Sequence, residues 1–183
     1  MKKVFAIAAL ISASFAANAQ NASSSATQTV NLNLSNAIEI TFTGNNSATG
    51  AAVNLAFNTV NDYANGVTSS EQGLKVRSNK NFTVAVKTNA ANFTYTGTTS
   101  PAPVMPIAGV LGVMVSANGT GGTIATPYSA TTYADLSSTA KNLITNGSKG
   151  GNQTFAVKYE ATPGFAYPAG TYTVDVVYTA TQQ

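Results

Sequence analysis

Apolar and polar residues alternate with a period of two along much of the chain. The pattern is clearest in residues 29–43, where the apolar side chains occupy even positions: Val30, Leu32, Leu34, Ile38, Ile40 and Phe42. Successive side chains of a β-strand point to opposite faces, so this spacing puts all six on one face. The polar pair Ser35-Asn36 interrupts the run. The pattern therefore predicts two consecutive strand segments that can bend at the pair.

The same period recurs through the rest of the sequence. Further alternating segments predict strands at 53–57, 74–76, 82–86, 93–95, 155–159 and 171–178. The stretch 107–117 is apolar on both faces, which is typical of a central, well-buried strand. Segments rich in Gly, Pro, Asn and Ser separate these strands, and residues 43–50 and 61–66 are among the predicted loops. Short strands with frequent turns predict an all-β fold, an antiparallel β-sandwich.

One segment has a helical pattern, so the prediction allows at most one short helix. In residues 135–147, Leu136, Ala140, Leu143 and Ile144 fall near a helical stripe. Ser137 or Ser138 would cap its start, and the Asn146-Gly147 pair would end it. The pattern predicts about two helical turns here.

The N-terminus has the pattern of an export signal. Two lysines precede an apolar run from Val4 to Phe15, and Ala17-Asn18-Ala19 gives the small-x-small pattern of a signal-peptidase site. We therefore expect residues 1–19 to be a signal peptide; the alternative is an uncleaved anchor, although the run is short for a membrane span. Residues 20–28, which are small and polar, are predicted to be a flexible extension, and residues 29–183 a single β-sandwich domain.

Cleavage after Ala19 changes both the charge and the expected location. The whole chain has nine Lys and Arg against six Asp and Glu. Without Lys2 and Lys3 the mature chain, residues 20–183, has seven cations and six anions, a net charge of +1. No basic patch indicates nucleic acid, and no later segment is long and apolar enough to be an integral membrane segment. The sequence predicts an exported protein, in the periplasm in transit and then at the cell surface or outside the cell.

The residue types present exclude several kinds of chemistry. The chain has no cysteine and no histidine, which excludes Cys/His nucleophile systems, Ser-His-Asp triads and the usual zinc sites. The six carboxylates are scattered and lack calcium-loop spacing, although a glycosidase pair could still assemble in space. The glycine pairs at 119–122 and 147–151 do not have phosphate-loop spacing. We expect no catalytic residue, no cofactor and no metal, and a protein that is not an enzyme.

Aromatic side chains in the predicted loops leave a second function open. These are Tyr63, Tyr128, Tyr133, Phe165 and Tyr167. Such rings can stack on sugars, or they can simply cover the ends of the sandwich core. The first possibility describes a monomeric surface or secreted binding module, with a complete β-sandwich and a glycan or protein ligand.

The two ends of the mature chain carry the most informative patterns. A polar extension leads into 29–34, and the alternating segment 171–178 lies near the other end. An extended segment can add a strand to an exposed sheet edge, with the backbone supplying hydrogen bonds and alternate side chains filling pockets. Residues 29–34 are therefore either the first strand of their own sandwich or a strand given to another molecule.

The C-terminal segment resembles that of known exported subunits. "AGTYTVDVVYTATQQ" (residues 169–183) is similar to the C-terminus of chaperone–usher pilins and of spore-coat-protein-U-like secreted domains. Such pilins carry a glycine fourteen residues from the C-terminus, and Gly170 is the fourteenth residue counted back from Gln183. They also carry a penultimate aromatic residue and often a disulfide, whereas this chain has Gln182 and no cysteine.

The resemblance implies a fold and a mode of assembly. Pilins have an immunoglobulin-like sandwich that lacks its last strand, and the N-terminal extension of a neighbour fills the gap. By this resemblance the candidate donor residues are Val30, Leu32 and Leu34. The candidate acceptor edge comprises Gly170, Tyr172, Val174, Val176 and Tyr178. The function implied is that of a structural subunit of a fimbria-like, pilus-like filament or a coat, with a role in cell adhesion. The implied partners are other copies of the chain or related subunits, and a periplasmic chaperone.

Overall fold

The computed structural model describes residues 22–183, and the chain divides after Leu34 into two units. The predicted signal peptide lies outside the described residues, and the predicted extension is described from residue 22 onward. Residues 22–34 lie in no helix or strand. Residues 35–183 form one compact unit, which contains all the regular structure that follows.

The described residues contain twelve strands and one helix. The strands are β1 (Ile38–Phe42), β2 (Val67–Thr68), β3 (Gln72–Ser78), β4 (Phe82–Thr88), β5 (Thr94–Thr96), β6 (Leu111–Asn118), β7 (Thr123–Ile124), β8 (Ala134–Asp135), β9 (Lys141–Gly147), β10 (Gly150–Ala161), β11 (Thr171–Thr173) and β12 (Val176–Gln182). The helix is α1 (Val60–Asn65). The prediction of an all-β fold with at most one short helix is confirmed.

The strands form two main sheets and a short ribbon, and all their pairings are antiparallel. The first sheet has the order β1-β3-β10-β6-β8, with β2 beside β10. The second has the order β12-β4-β9-β7, and β11 pairs with β5 in the ribbon. Buried side chains from both main sheets form one hydrophobic cluster, so the sheets pack as the two layers of a sandwich.

Alternation selects the core residues of β3 and β4. Leu74 and Val76 in β3, and Phe82, Val84 and Val86 in β4, are all buried, as the sequence pattern predicts. In β10 the predicted apolar face is buried as well, and β6 lies between β10 and β8, in the interior of its sheet. These strands put the apolar face against the other sheet because burying each such side chain contributes roughly 1.5–3 kcal/mol.

The helix predicted over residues 135–147 is wrong, because this region forms β8, a bend and then β9. β9 pairs with β4 through an irregular register on either side of Val84. The irregularity allows the consecutive residues Leu143 and Ile144 both to be fully buried. Two adjacent buried residues break the period of two, and their spacing from Leu136 imitates a helical stripe.

The actual helix, α1, lies where the sequence predicts a loop at 61–66. A capping box begins it: the Thr59 side chain accepts a hydrogen bond from the Asp62 backbone N–H, and the Asp62 carboxylate accepts one from the Thr59 N–H. The backbone N–H groups of Thr59 and Asn58 lower the pKa of Asp62 because they stabilise its charged form. No residue of α1 is buried, so no apolar stripe marks it in the sequence.

The polar surface carries little charge. The only ion pair in residues 22–183 joins Arg77 of β3 to Glu39 of β1, and both side chains are about half exposed. Within that same part of the chain, no helix reaches the length and apolarity needed to cross a bilayer.

Candidate functional site

The predicted C-terminal strand is two strands that belong to different sheets. β11 pairs with β5, whereas β12 pairs with β4. Between them, Asp175 and Asn89 exchange hydrogen bonds: the Asn89 side chain donates to the Asp175 carboxylate (2.8 Å), and the Asp175 backbone N–H donates to the Asn89 side chain (3.1 Å). This exchange fixes the point at which the chain changes sheets.

One edge of β12 has no partner strand in the described chain. β12 is the outermost strand of its sheet and pairs only with β4. Its even-numbered residues Val176, Tyr178 and Ala180 pack against the core, yet each remains partly exposed. The equivalent positions of β4 are fully buried. The core-facing side chains of β12 are therefore flanked by a neighbouring strand, β4, on one edge only.

A cleft of about 1120 Å³ opens beside this edge. On one side it is lined by Ile40 and Phe42 of β1, and on the other by residues 170–178. Tyr159 and Leu111 line it from the first sheet, and the irregular segment 48–58 runs along it. The lining is mainly apolar. A wide cleft between the edge strands of two sheets is a place where a further strand can fit.

Gln182 ties the end of β12 to the first sheet. Its side-chain amide lies 2.8 Å from the carbonyl oxygen of Ala37 and 2.9 Å from the side-chain oxygen of Asn79. Asn79 in turn accepts a hydrogen bond from the Ala37 backbone N–H (3.0 Å). These bonds tie the end of β12 to the residues just before β1. Gln182 therefore joins the two sheets by polar contacts.

Gly170, which lines the cleft, lies against an aromatic pair. A side chain at Gly170 would collide with the ring of Tyr95, which explains why glycine is needed here. The rings of Tyr95 and Tyr172 face each other across the β5–β11 ribbon, with their centroids 5.0 Å apart. Gly170 thus allows β11 to approach β5 closely.

Two tyrosines form the polar contact inside the cleft. The hydroxyl groups of Tyr159 and Tyr178 are 2.7 Å apart, and the Tyr178 ring packs edge-on against Phe42 and Phe155. Burial raises the pKa of Tyr159 to about 12. Burial first, and then the neighbouring Tyr159, raise the pKa of Tyr178 well above its usual value. Both groups therefore stay protonated, and one hydroxyl donates to the other.

This pair predicts a loss of stability at alkaline pH. An unfolded tyrosine ionises near pH 10, whereas folded Tyr159 holds its proton until about pH 12. Between these values the folded state binds more protons, so the free energy of unfolding should be intact below pH 10 and fall as pH rises, by about 3 kcal/mol from this residue. Urea unfolding at pH 8, 10 and 11 measures the effect. Tyr159→Phe should reduce the slope, and an unchanged slope would assign the effect to other groups.

The candidate donor residues lie in the separate first unit. Val30, Leu32 and Leu34 are 75%, 83% and 89% exposed and lie in no strand. A strand was predicted here, but residues 22–37 contain none. Large apolar side chains exposed in series are unusual on a finished surface. Their exposed alternation is the pattern that a donated strand requires.

The loop aromatic residues separate into two groups. Tyr63 of α1 stacks on Phe165, with centroids 5.6 Å apart, and it also contacts Phe57. Tyr63 and Tyr167 both line the cleft, and Phe165 is 67% exposed. Tyr128, by contrast, is buried in the core. Tyr63, Phe165 and Tyr167, here called the aromatic cluster, therefore lie at the cleft, and two of them form part of its lining.

Carboxylates do not gather in the cleft. Asp175 is the one acidic residue that lines the cleft in the described part of the chain. Its carboxylate accepts a hydrogen bond from the Asn89 side chain. Nowhere in residues 22–183 do three or more His, Cys, Asp or Glu side chains cluster in a way that would hold a metal ion.

Sequence reasoning missed two contributors to the cleft, Leu55 and Phe57. Leu55 and Phe57 were predicted to lie in a strand, but residues 48–58 form none. The sequence singled out Gln182 only as a departure from the pilin pattern, and a single polar residue at the end of a strand gives no pattern that predicts its hydrogen bonds to Ala37 and Asn79. Neither a scan against protein-family models nor a search of curated proteins finds a match to this chain.

Proposed function

We propose that the protein is a non-enzymatic structural subunit that assembles by strand addition, in a surface filament or a coat. The observation that carries the proposal is the open apolar cleft along the unpartnered edge of β12. In the assembled state, residues 30–34 of a second copy would lie in this cleft, and the sandwich would then be immunoglobulin-like, with its missing strand supplied by a neighbour.

The donor segment has the chemistry that the cleft needs. In an extended conformation Val30, Leu32 and Leu34 would lie on one face. The cleft offers an apolar lining in which partly exposed side chains alternate along β12. Burying one such side chain contributes roughly 1.5–3 kcal/mol. Burial of all three, together with new backbone hydrogen bonds to the free edge of β12, supplies the favourable free energy that opposes the cost of association and of ordering the segment.

An uncovered edge also explains why an exported subunit would need a partner before assembly. Unpaired strand edges with apolar side chains are sites of aggregation. A periplasmic chaperone that lends a strand to β12 would protect the subunit in transit. The final location that we propose is the cell surface or the extracellular medium, where the low charge and polar outer face of the sandwich suit a structural role.

Deletion of residues 20–34 tests the proposal. The truncated domain should fold, because residues 35–183 already form one compact unit. It should not assemble, because it lacks the donor segment. Size-exclusion chromatography and circular dichroism, with the mature chain as reference, measure both properties. If the truncated domain unfolds, residues 29–34 are an internal strand, and donation between subunits is ruled out in this form.

The aromatic cluster supports a second candidate, a monomeric binding module. Phe165, which is exposed and stacks on the partly buried Tyr63, offers with Tyr167 a surface on which a sugar ring can stack. The same chromatography separates the two functions. A stable monomer of the mature chain favours the binding module, and larger species that resist mild denaturant favour the structural subunit.

A further inference from the structure

We propose that residues 50–58, here called the strap, are an internal stand-in for the donor segment. In the unassembled chain the strap lies along the acceptor cleft and occupies part of its apolar lining, and it leaves when the donor segment of a second copy enters. This inference rests on the proposed function and adds a control step to it. Because the strap must leave before a donor segment binds, it slows the assembly of subunits.

The sequence of the strap repeats that of the donor segment. The donor segment reads Val-Asn-Leu-Asn-Leu at 30–34, and the strap reads Val-Asn-Leu-Ala-Phe at 53–57. The three apolar positions fall at the same spacing, and the first three residues are identical. A segment with the same alternation can present the same kinds of side chain to the same apolar lining.

The strap lies on the cleft by side-chain contacts alone. Leu55 and Phe57 pack against the hydrophobic core, and every residue of the strap lines the cleft. Yet no residue from Gly50 to Phe57 makes a hydrogen bond within the described chain, and none is in a strand. The strap therefore covers part of the apolar lining but leaves the backbone groups of β12 unpaired.

An incoming donor strand can form the backbone hydrogen bonds to β12 that the strap does not form. A strand that enters beside β12 gains both apolar contacts and backbone hydrogen bonds. Because the strap has only the apolar contacts, the incoming strand can replace it. Both ends of the strap are anchored. Ser47 accepts a hydrogen bond from the Phe42 backbone N–H at one end, and Asn58 donates to Asp62 of α1 at the other. The segment between them can leave the cleft as a loop.

The test uses the mature chain with Leu32→Ser and Leu34→Ser, so that neighbouring chains do not fill the cleft. A fluorescent peptide with the sequence of residues 28–36 serves as donor, and its uptake is followed by anisotropy. Adding Leu55→Ser and Phe57→Ser should speed peptide uptake at least tenfold. Val104→Ser, at a residue that is 71% exposed and does not line the cleft, is the matched control and should change nothing.

A second measurement leaves the strap unaltered and so does not depend on the folding of the strap variant. Chymotrypsin cleaves after Leu55 and Phe57, and saturating donor peptide should make these bonds more accessible. A peptide carrying Leu32→Ser and Leu34→Ser should not. Equal uptake rates together with unchanged or reduced cleavage would overturn the strap proposal and leave the proposed function standing. A peptide that enters neither protein would overturn both.

Discussion

A mature chain in which Leu32 and Leu34 are both replaced by serine should remain monomeric under conditions in which the parent chain assembles. Each leucine would lose about 2 kcal/mol of burial in the cleft of the neighbour, which together weakens each contact between subunits about a thousandfold. Because both side chains are almost fully exposed in the single chain, its own free energy of unfolding should not change. Light scattering and urea unfolding measure these two quantities.

The matched control alters the other face of the same segment. Asn31→Ser and Asn33→Ser keep every apolar side chain of the donor, so this variant should assemble like the parent. The variant with Leu32→Ser and Leu34→Ser still has an intact cleft. It can therefore bind the donor segment of a neighbour, but its own donor segment cannot bind the next subunit. Added in small amounts, it should shorten parent assemblies. Normal assembly of the double serine variant would reject residues 30–34 as the donor.

Phe82→Ala should give the largest loss of stability of any single substitution proposed for the sandwich. Phe82 is fully buried at the start of β4, and its ring lies over Gly147, where an added Cβ would come within 2.6 Å of it. The two residues fit each other so closely that neighbouring groups have little room to fill the space the ring leaves. A loss of about 3–5 kcal/mol is expected, with a fall in melting temperature of about 10 °C.

A second phenylalanine provides the control for that measurement. Phe165 is 67% exposed at the aromatic cluster, so Phe165→Ala should cost less than about 1 kcal/mol. Thermal unfolding followed by circular dichroism compares the two variants. Similar losses in both would mean that Phe82 does not lie in the core described here.

Strands buried on one face could be predicted from the sequence, since burial and the period of two coincide in them. Leu74, Val76 and the apolar face of β4 follow this rule, and both strands lie where the pattern indicates. The rule fails where the backbone departs from a regular ladder. In β9 an irregular register buries two adjacent residues, which cannot be told from a helical stripe without knowledge of the partner strand.

The candidate site was predicted only in part, because the cleft exists where a strand lacks a neighbouring strand, and the sequence does not show which strands are neighbours. Periodicity identified Val176 and Tyr178 as one face, but it could not show that β12 has a free edge. It also predicted a strand at 53–57, where the structure has an irregular segment that lines the cleft. Alternation records which side chains need burial, and it does not record whether backbone hydrogen bonds accompany that burial.

The nearly uncharged character of the sandwich has a consequence for the media in which it can remain folded. The single ion pair of the described residues, Arg77 with Glu39, is exposed and contributes little. Dissolved salt screens charges but does not weaken apolar burial or an internal hydrogen-bond ladder. The stability of the fold should therefore change little between dilute fresh water and physiological ionic strength, where screening of charges is the main effect of salt.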